Sequence, residues 1–146
     1  MQINIIREIK NLNISIGKML FSSEDGILGK HPKPLQIEII NYLSKNQDKV
    51  VYQKNLEENL KISKAAISEV LINMERNGFI EKINDTSDAR RKRVALSSET
   101  KKMHEDIEKK IDKLNDTLLD GINNDDLNIF IKVINKLKDN MKKEGV

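Results

Sequence analysis

Apolar positions recur at two different periods along this chain, and the places where the period changes divide it into elements. Ile5, Ile6, Ile9, Leu12, Ile16, Met19 and Leu20 fall at helical spacings, which puts them on one helix face and predicts a first helix from about Gln2 to Phe21. The stretch "SSEDGILGKHPKP" then gathers Gly26, Gly29, Pro32 and Pro34, so the helix must break there. "LQIEIINYLSK" predicts a second helix with Leu35, Ile39, Ile40 and Leu43 inward. "VVYQKNLEENL" reads as a very short extended piece and a short helix carrying Leu56 and Leu60.

The next segment, "ISKAAISEVLINMERNG", holds both end signals of a helix. Ser63 stands at the N-cap, Ile67, Val70, Leu71 and Met74 share one face, and Gly78 follows the end, where a left-handed residue is wanted. The period then shortens to two in "FIEKI" and "RVALS", which predicts a β-hairpin around a charged tip from Asn84 to Lys92. A tip of that length exceeds what a tight hairpin needs, and such loops are functional or disordered. Helical spacing returns with Ile107, Ile111, Leu114 and Leu118, breaks at Gly121, and resumes with Leu127, Phe130, Ile131, Ile134, Leu137 and Met141. Asp125 and Asp126 fall in the first turn of that last helix, where the macrodipole favours them.

Composition narrows the chemistry. A length of 146 residues suits one domain with helical extensions. The absence of cysteine excludes disulfides, thiolate zinc sites and thiol-based redox sensing. Net charge is only +3, yet the basic residues cluster, so the local patch matters more than the total. No apolar run reaches the length of a membrane span, and the charged N-terminus does not read as a signal peptide, so a cytoplasmic protein without membrane partners is expected. His31 and His104 come without a nucleophile or a phosphate-cradling glycine loop, so neither an enzyme nor a cofactor is expected. His104 and Glu108 lie one helical turn apart, a spacing that could share a metal, but no further ligands match it. A solvated helix face is the simpler reading, and no metal site is expected.

A short helix, a short turn, a capped helix and a charged hairpin, in that order, make a winged helix-turn-helix. Such units lay the second helix in the major groove of DNA. With its apolar face turned inward, the helix Ser63–Asn77 offers Ser63, Lys64, Ala65, Ser68 and Glu69 outward, small or polar residues that permit close approach. Gln53 and Lys54, opening the preceding helix, join the DNA-facing set. In the wing, Arg90, Arg91, Lys92 and Arg93 repel one another unless an anion is near, and a narrow minor groove supplies one. Asp85 or Asp88 can bond the loop backbone, and Asp88 can hold the Arg90 side chain extended. Two other readings stay open: a merely solvated turn, and a winged helix used as a protein-interaction module without DNA binding.

"LEENLKISKAAISEVLINMERNGFIEKINDTSDARRKRVALSS" resembles the core of the MarR family of bacterial transcriptional regulators. The aspartate-x-arginine wing signature stands in Asp88 and Arg90, followed by the ending Val94, Leu96 and Ser97. The close resemblance spans about Leu35 to Ser98. It implies a mainly α fold with a small β-hairpin wing: an N-terminal dimerisation helix and loop (1–34), a winged helix-turn-helix lobe (35–98) and C-terminal dimerisation helices (99–146). It implies a homodimeric regulator of double-stranded DNA, expected to be a repressor, with Arg90 in the minor groove and a pseudo-palindromic operator. It also implies a small-molecule effector pocket where the dimer helices meet the DNA-binding lobe. The expected dimer contacts are Ile5, Ile9, Leu12, Ile16, Leu118, Leu127, Phe130, Ile134 and Leu137. Two residues depart from the pattern: Glu57, where a small alanine is usual, and Glu69, where a basic or amide residue is common.

Overall fold

The computed structural model describes residues 2–20, 32–85, 87–88 and 90–145. In chain order these form α1 (Ile5–Leu20), α2 (Pro34–Lys45), α3 (Gln53–Leu60), α4 (Lys64–Arg76), β1 (Ile80–Asn84), β2 (Lys92–Leu96), α5 (Ser98–Leu119) and α6 (Asn124–Lys143). The architecture is mainly α with one antiparallel hairpin, as the two periods predict. The first helix begins three residues later than the sequence suggests, its expected last residue Phe21 lies outside the described residues, and so does most of the glycine- and proline-rich break after it. The chain divides into two compact units, 1–110 and 111–146.

The core of the first unit is built from α2, α3, α4 and the hairpin. Ile39, Leu56, Ile67, Leu71 and Met74 are fully buried, joined by Ile40, Leu43, Val51, Phe79, Ile80, Val94 and Leu96. Burying each such large side chain contributes about 1.5–3 kcal/mol relative to exposure, so this cluster fixes α4 against its neighbours. Leu35, Leu60 and Val70 are only partly buried at its edge.

Both ends of α4 are closed by local chemistry. The Ala66 N–H donates to Ser63 Oγ at 3.2 Å, which caps the N-terminus. At the other end Gly78 takes φ 80°, while the Gly78 and Phe79 N–H groups donate to the carbonyls of Glu75 and Met74. This paired bonding terminates the helix and aims the chain into β1. Ser97, at the end of β2, accepts from the Thr100 N–H and donates to the Gly78 carbonyl at 2.7 Å. One buried hydroxyl therefore starts α5 and ties it to the end of α4.

The strands pair from Ile80↔Leu96 to Asn84↔Lys92. Asn84 and Lys92, expected in the loop, are thus the last paired positions, and the Asp85 N–H donates to the Arg91 carbonyl just beyond them. The short extended piece before α3 lies along the hairpin: the Val94 N–H donates to the Val51 carbonyl at 2.8 Å, and Tyr52 bridges to Arg93.

In the second unit Gly121 takes φ 77°, and the Asp126 N–H donates to Asn123 Oδ1 at 2.8 Å, capping α6 with Asp125 and Asp126 in its first turn. Neither α1 nor α6 has a buried residue. Among the described residues, no helix is long and apolar enough to cross a membrane.

Candidate nucleic-acid interface

Three chain segments meet in an open cleft of about 480 Å³. Tyr52, Gln53, Lys54, Asn55 and Glu57 come from the start of α3, Lys64 from the start of α4, and Arg90, Arg91 and Lys92 from the wing. Six of the expected DNA-facing residues are thereby neighbours. Ser63, Ala65, Ser68 and Glu69 lie on the adjoining outer face of α4, with Ser68 half-buried and the other three exposed. Ser63 uses one lone pair of its oxygen as the cap acceptor, so its hydroxyl proton remains to offer a phosphate and a second lone pair remains for a base donor.

Lys54 pairs loosely with Glu58 at 3.9 Å on the surface, an interaction too weak to withhold the lysine from an anion. Glu57 is half-buried at the cleft wall and accepts from Gln53 Nε2 at 3.5 Å, while Leu56 fills the helix–helix contact. The departure from alanine therefore changes the cleft lining. The expected set omits Ile72, which continues the outer face of α4 and is 47% exposed. Its spacing from Ala65 and Ser68 was readable in the sequence.

Three of the four wing cations, Arg90, Arg91 and Lys92, come together at the cleft, and Arg93 does not join them. Arg90, Arg91 and Lys92 are all exposed, and Arg91 lays its guanidinium over the Tyr52 ring, 3.9 Å from the centroid. Arg93 points inward enough that its Nε is buried, without a hydrogen-bond partner. Alternation along β2 sends neighbouring side chains to opposite faces, which separates Lys92 from Arg93.

The two wing aspartates also divide their tasks. Asp88 Oδ1 accepts from the Arg90 backbone N–H at 2.9 Å, so it fixes the main chain of the tip, the loop-backbone bond that the sequence predicts for Asp85 or Asp88. Asp85 is buried: its Oδ1 accepts from the Ser87 N–H and Oγ, and its Oδ2 accepts from the Tyr52 hydroxyl at 2.8 Å. The Ser87 N–H bond, the Tyr52 hydroxyl and the Ser87 hydroxyl, aided by Arg93, outweigh desolvation and lower this carboxyl from its ordinary 3.8 to about 2. Sequence reasoning did not single out Tyr52, although it is one of only two tyrosines and directly precedes α3.

His104 is a second correction. Its Nδ1 lies 3.2 Å from Ser44 Oγ and its Nε2 3.2 Å from Asn41 Oδ1, with Glu108 at 3.8 Å. The ring is docked on α2, so the reading of a solvated helix face fails. No group of three or more potential metal ligands occurs among the described residues. His31 lies outside them. Of the expected dimer contacts, Ile5, Ile9, Leu12, Leu118 and Phe130 are exposed in the single chain, whereas Ile16, Leu127, Ile134 and Leu137 are half-buried.

Comparison with known proteins places this geometry. The sequence profile of the MarR family matches residues 35–92. No curated protein matches the chain. Among solved structures, the heme sensor protein PefR from Streptococcus agalactiae, in complex with heme, is 30% identical with a TM-score of 0.70, over 96% of this chain and 95% of that one. The PcaV transcriptional regulator from Streptomyces coelicolor is 21% identical, TM-score 0.68, over 97% and 96%. The transcription regulator MarR from Oenococcus oeni is 22% identical, TM-score 0.57, over 94% and 99%. The winged helix-turn-helix, the profile match from α2 to the start of β2 and the PefR likeness along nearly the whole chain agree: the chain belongs to the MarR family of transcriptional regulators.

Proposed function

We propose that the protein is a sequence-specific, double-stranded-DNA-binding repressor that acts in the cytoplasm as a homodimer. The observation that carries this reading is the cleft in which α3, α4 and the wing bring Gln53, Lys54, Lys64, Arg90, Arg91 and Lys92 together beside the exposed N-terminal face of α4. In this reading α4 enters the major groove, where Ala65 meets a thymine methyl, Ser68 and Glu69 face base edges, and Lys64 meets a phosphate or a guanine. Arg90 enters the flanking minor groove, with Lys92 on its phosphates. Dimerisation follows from the uncovered apolar faces of α1 and α6, where Phe130 is 51% and Leu12 50% exposed. Two copies would present two recognition helices to successive major grooves, hence to a pseudo-palindrome with half-sites about one helical turn apart.

A small-molecule effector that releases the operator is part of the reading. Heme, the ligand of PefR, tests the donor set of this chain. The sequence has no cysteine, and His104, the described histidine, has both ring nitrogens engaged with α2, whereas an axial histidine must offer one to the iron. The described residues therefore do not fit an axial histidine site, and no heme is assigned to them. Selection of bound fragments from the source genome tests the function directly: a pseudo-palindromic motif is the expected result. Retention on duplex DNA with no motif and no steep salt dependence would overturn it.

A further inference from the structure

We propose that Tyr52 is a positioning residue for the wing, holding its base through Asp85 and its tip through Arg91 so that Arg90 is presented ready to enter the minor groove. The inference rests on the DNA-binding reading above and goes beyond it by assigning wing order to one side chain outside the wing.

Tyr52 bonds the hairpin at three levels. Its backbone sits opposite Arg93 in a bridge closed by the Val94 N–H on the Val51 carbonyl, its hydroxyl donates to Asp85 Oδ2 at 2.8 Å, and its ring carries the Arg91 guanidinium at 3.9 Å. It is fixed at its own end as well, because its N–H donates to Asn55 Oδ1 at 2.8 Å in the first turn of α3. Asp85 relays the hold onward: its other oxygen accepts two bonds from Ser87, and the Asp85 N–H closes on Arg91. The nearest described residues on either side of Arg90 are therefore anchored: Arg91 to Tyr52, and Asp88 to the Arg90 and Arg91 N–H groups. Arg90 itself is exposed. A two-stranded hairpin tip beyond the core has no apolar burial of its own to order it, so an external anchor reduces the entropy lost when the arginine enters the groove.

The hydroxyl and the ring act separately, and two variants divide them. Tyr52→Phe removes the bond to Asp85 and leaves the stacking surface; Tyr52→Leu removes both. Binding of the full-length wild type, both Tyr52 variants, Arg90→Ala and the Tyr52→Phe/Arg90→Ala double variant would be measured on duplexes with A·T-rich and G·C-rich flanks. We expect Tyr52→Phe to weaken binding about 3- to 10-fold on A·T-rich flanks and less on G·C-rich ones, and the double variant to bind no worse than Arg90→Ala alone. Ring-current shifts on the Arg91 side-chain protons, kept in Tyr52→Phe and lost in Tyr52→Leu, report the stacking without DNA. Wild-type affinity in Tyr52→Phe, flank-blind losses, or full additivity in the double variant would each overturn the positioning role if Arg90→Ala has lost flank preference. If Arg90→Ala keeps that preference, the minor-groove reading itself falls, and the proposal with it.

Discussion

Truncating Arg90 and truncating Lys92 should fail in different ways. Both side chains are exposed, Arg90 at a tip whose main chain is held by Asp88 and Lys92 on a strand residue paired with Asn84. Neither side chain supports the fold, so the variants should melt within a degree or two of wild type, and differences in binding can be read as lost DNA contacts. For Arg90→Ala the expected loss is about 1–3 kcal/mol per half-site, a weakening of roughly 5- to 150-fold, and a symmetric operator loses it twice. The loss should be larger on A·T-rich flanks, because the narrow groove there concentrates the negative potential that makes insertion favourable. For Lys92→Ala the loss should be nearly uniform across sequences, with the slope of log K against log salt reduced by about one. Fluorescence anisotropy on a panel of duplexes with varied flanks, repeated at several salt concentrations, separates the two. Equal, sequence-blind losses would reduce the wing to a nonspecific basic patch. Unchanged binding in both variants would instead favour a winged helix that serves as a protein-interaction module.

Three further outcomes follow from other contacts. Because the folded Asp85 carboxyl sits at about 2 against an ordinary 3.8, its ionised form favours the fold above pH 3.8, and that contribution is lost as pH falls toward 2; the stability gap between wild type and Asp85→Asn, from denaturant unfolding, should shrink across that window. A gap independent of pH would refute the hydrogen-bonded carboxylate. His104→Ala removes the bonds from α5 to Asn41 and Ser44, and should cost about 1–2 kcal/mol, seen as a lower urea midpoint; an unchanged midpoint would return His104 to a solvated face. Deleting residues 127–146 should abolish both the dimer in sedimentation and tight operator binding, and a truncated chain that binds as before would sink the dimer reading.

Elements whose causes are local were legible in the sequence. Ser63 and Gly78 bracket α4 because a cap and a left-handed terminator each act within a few residues, and the buried positions Ile67, Leu71 and Met74 follow from one period. The strand ends were misplaced for a physical reason. Beyond the core the hairpin buries no apolar side chain, so Asn84 and Lys92 carry no apolar signal, and backbone pairing alone defines them. Contacts between distant segments were not legible at all. Tyr52 meets Asp85 and His104 meets Asn41 and Ser44 only because the core brings α3 to the wing and α5 to α2. Nothing in the spacing of a lone tyrosine or histidine encodes such a partner.

The run of four cations shows how folding changes what a sequence pattern means. As a string, Arg90 to Arg93 is one basic patch with one electrostatic task. In the folded wing the strand's alternation and the Tyr52 anchor give its members separate environments. Arg93 turns inward and adds a small favourable charge near Asp85, Arg91 lies on an aromatic face while staying exposed, and Arg90 and Lys92 are exposed without such a partner among the described residues. Mutual repulsion, which argued for an anion near the whole run, is therefore relieved in part within the protein itself: Arg93 by a carboxylate, Arg91 by a ring quadrupole. What still calls for an external anion is the outer pair. The base of the wing is held through Asp85 by Tyr52 and Ser87, so order in the wing and charge at its tip draw on different residues.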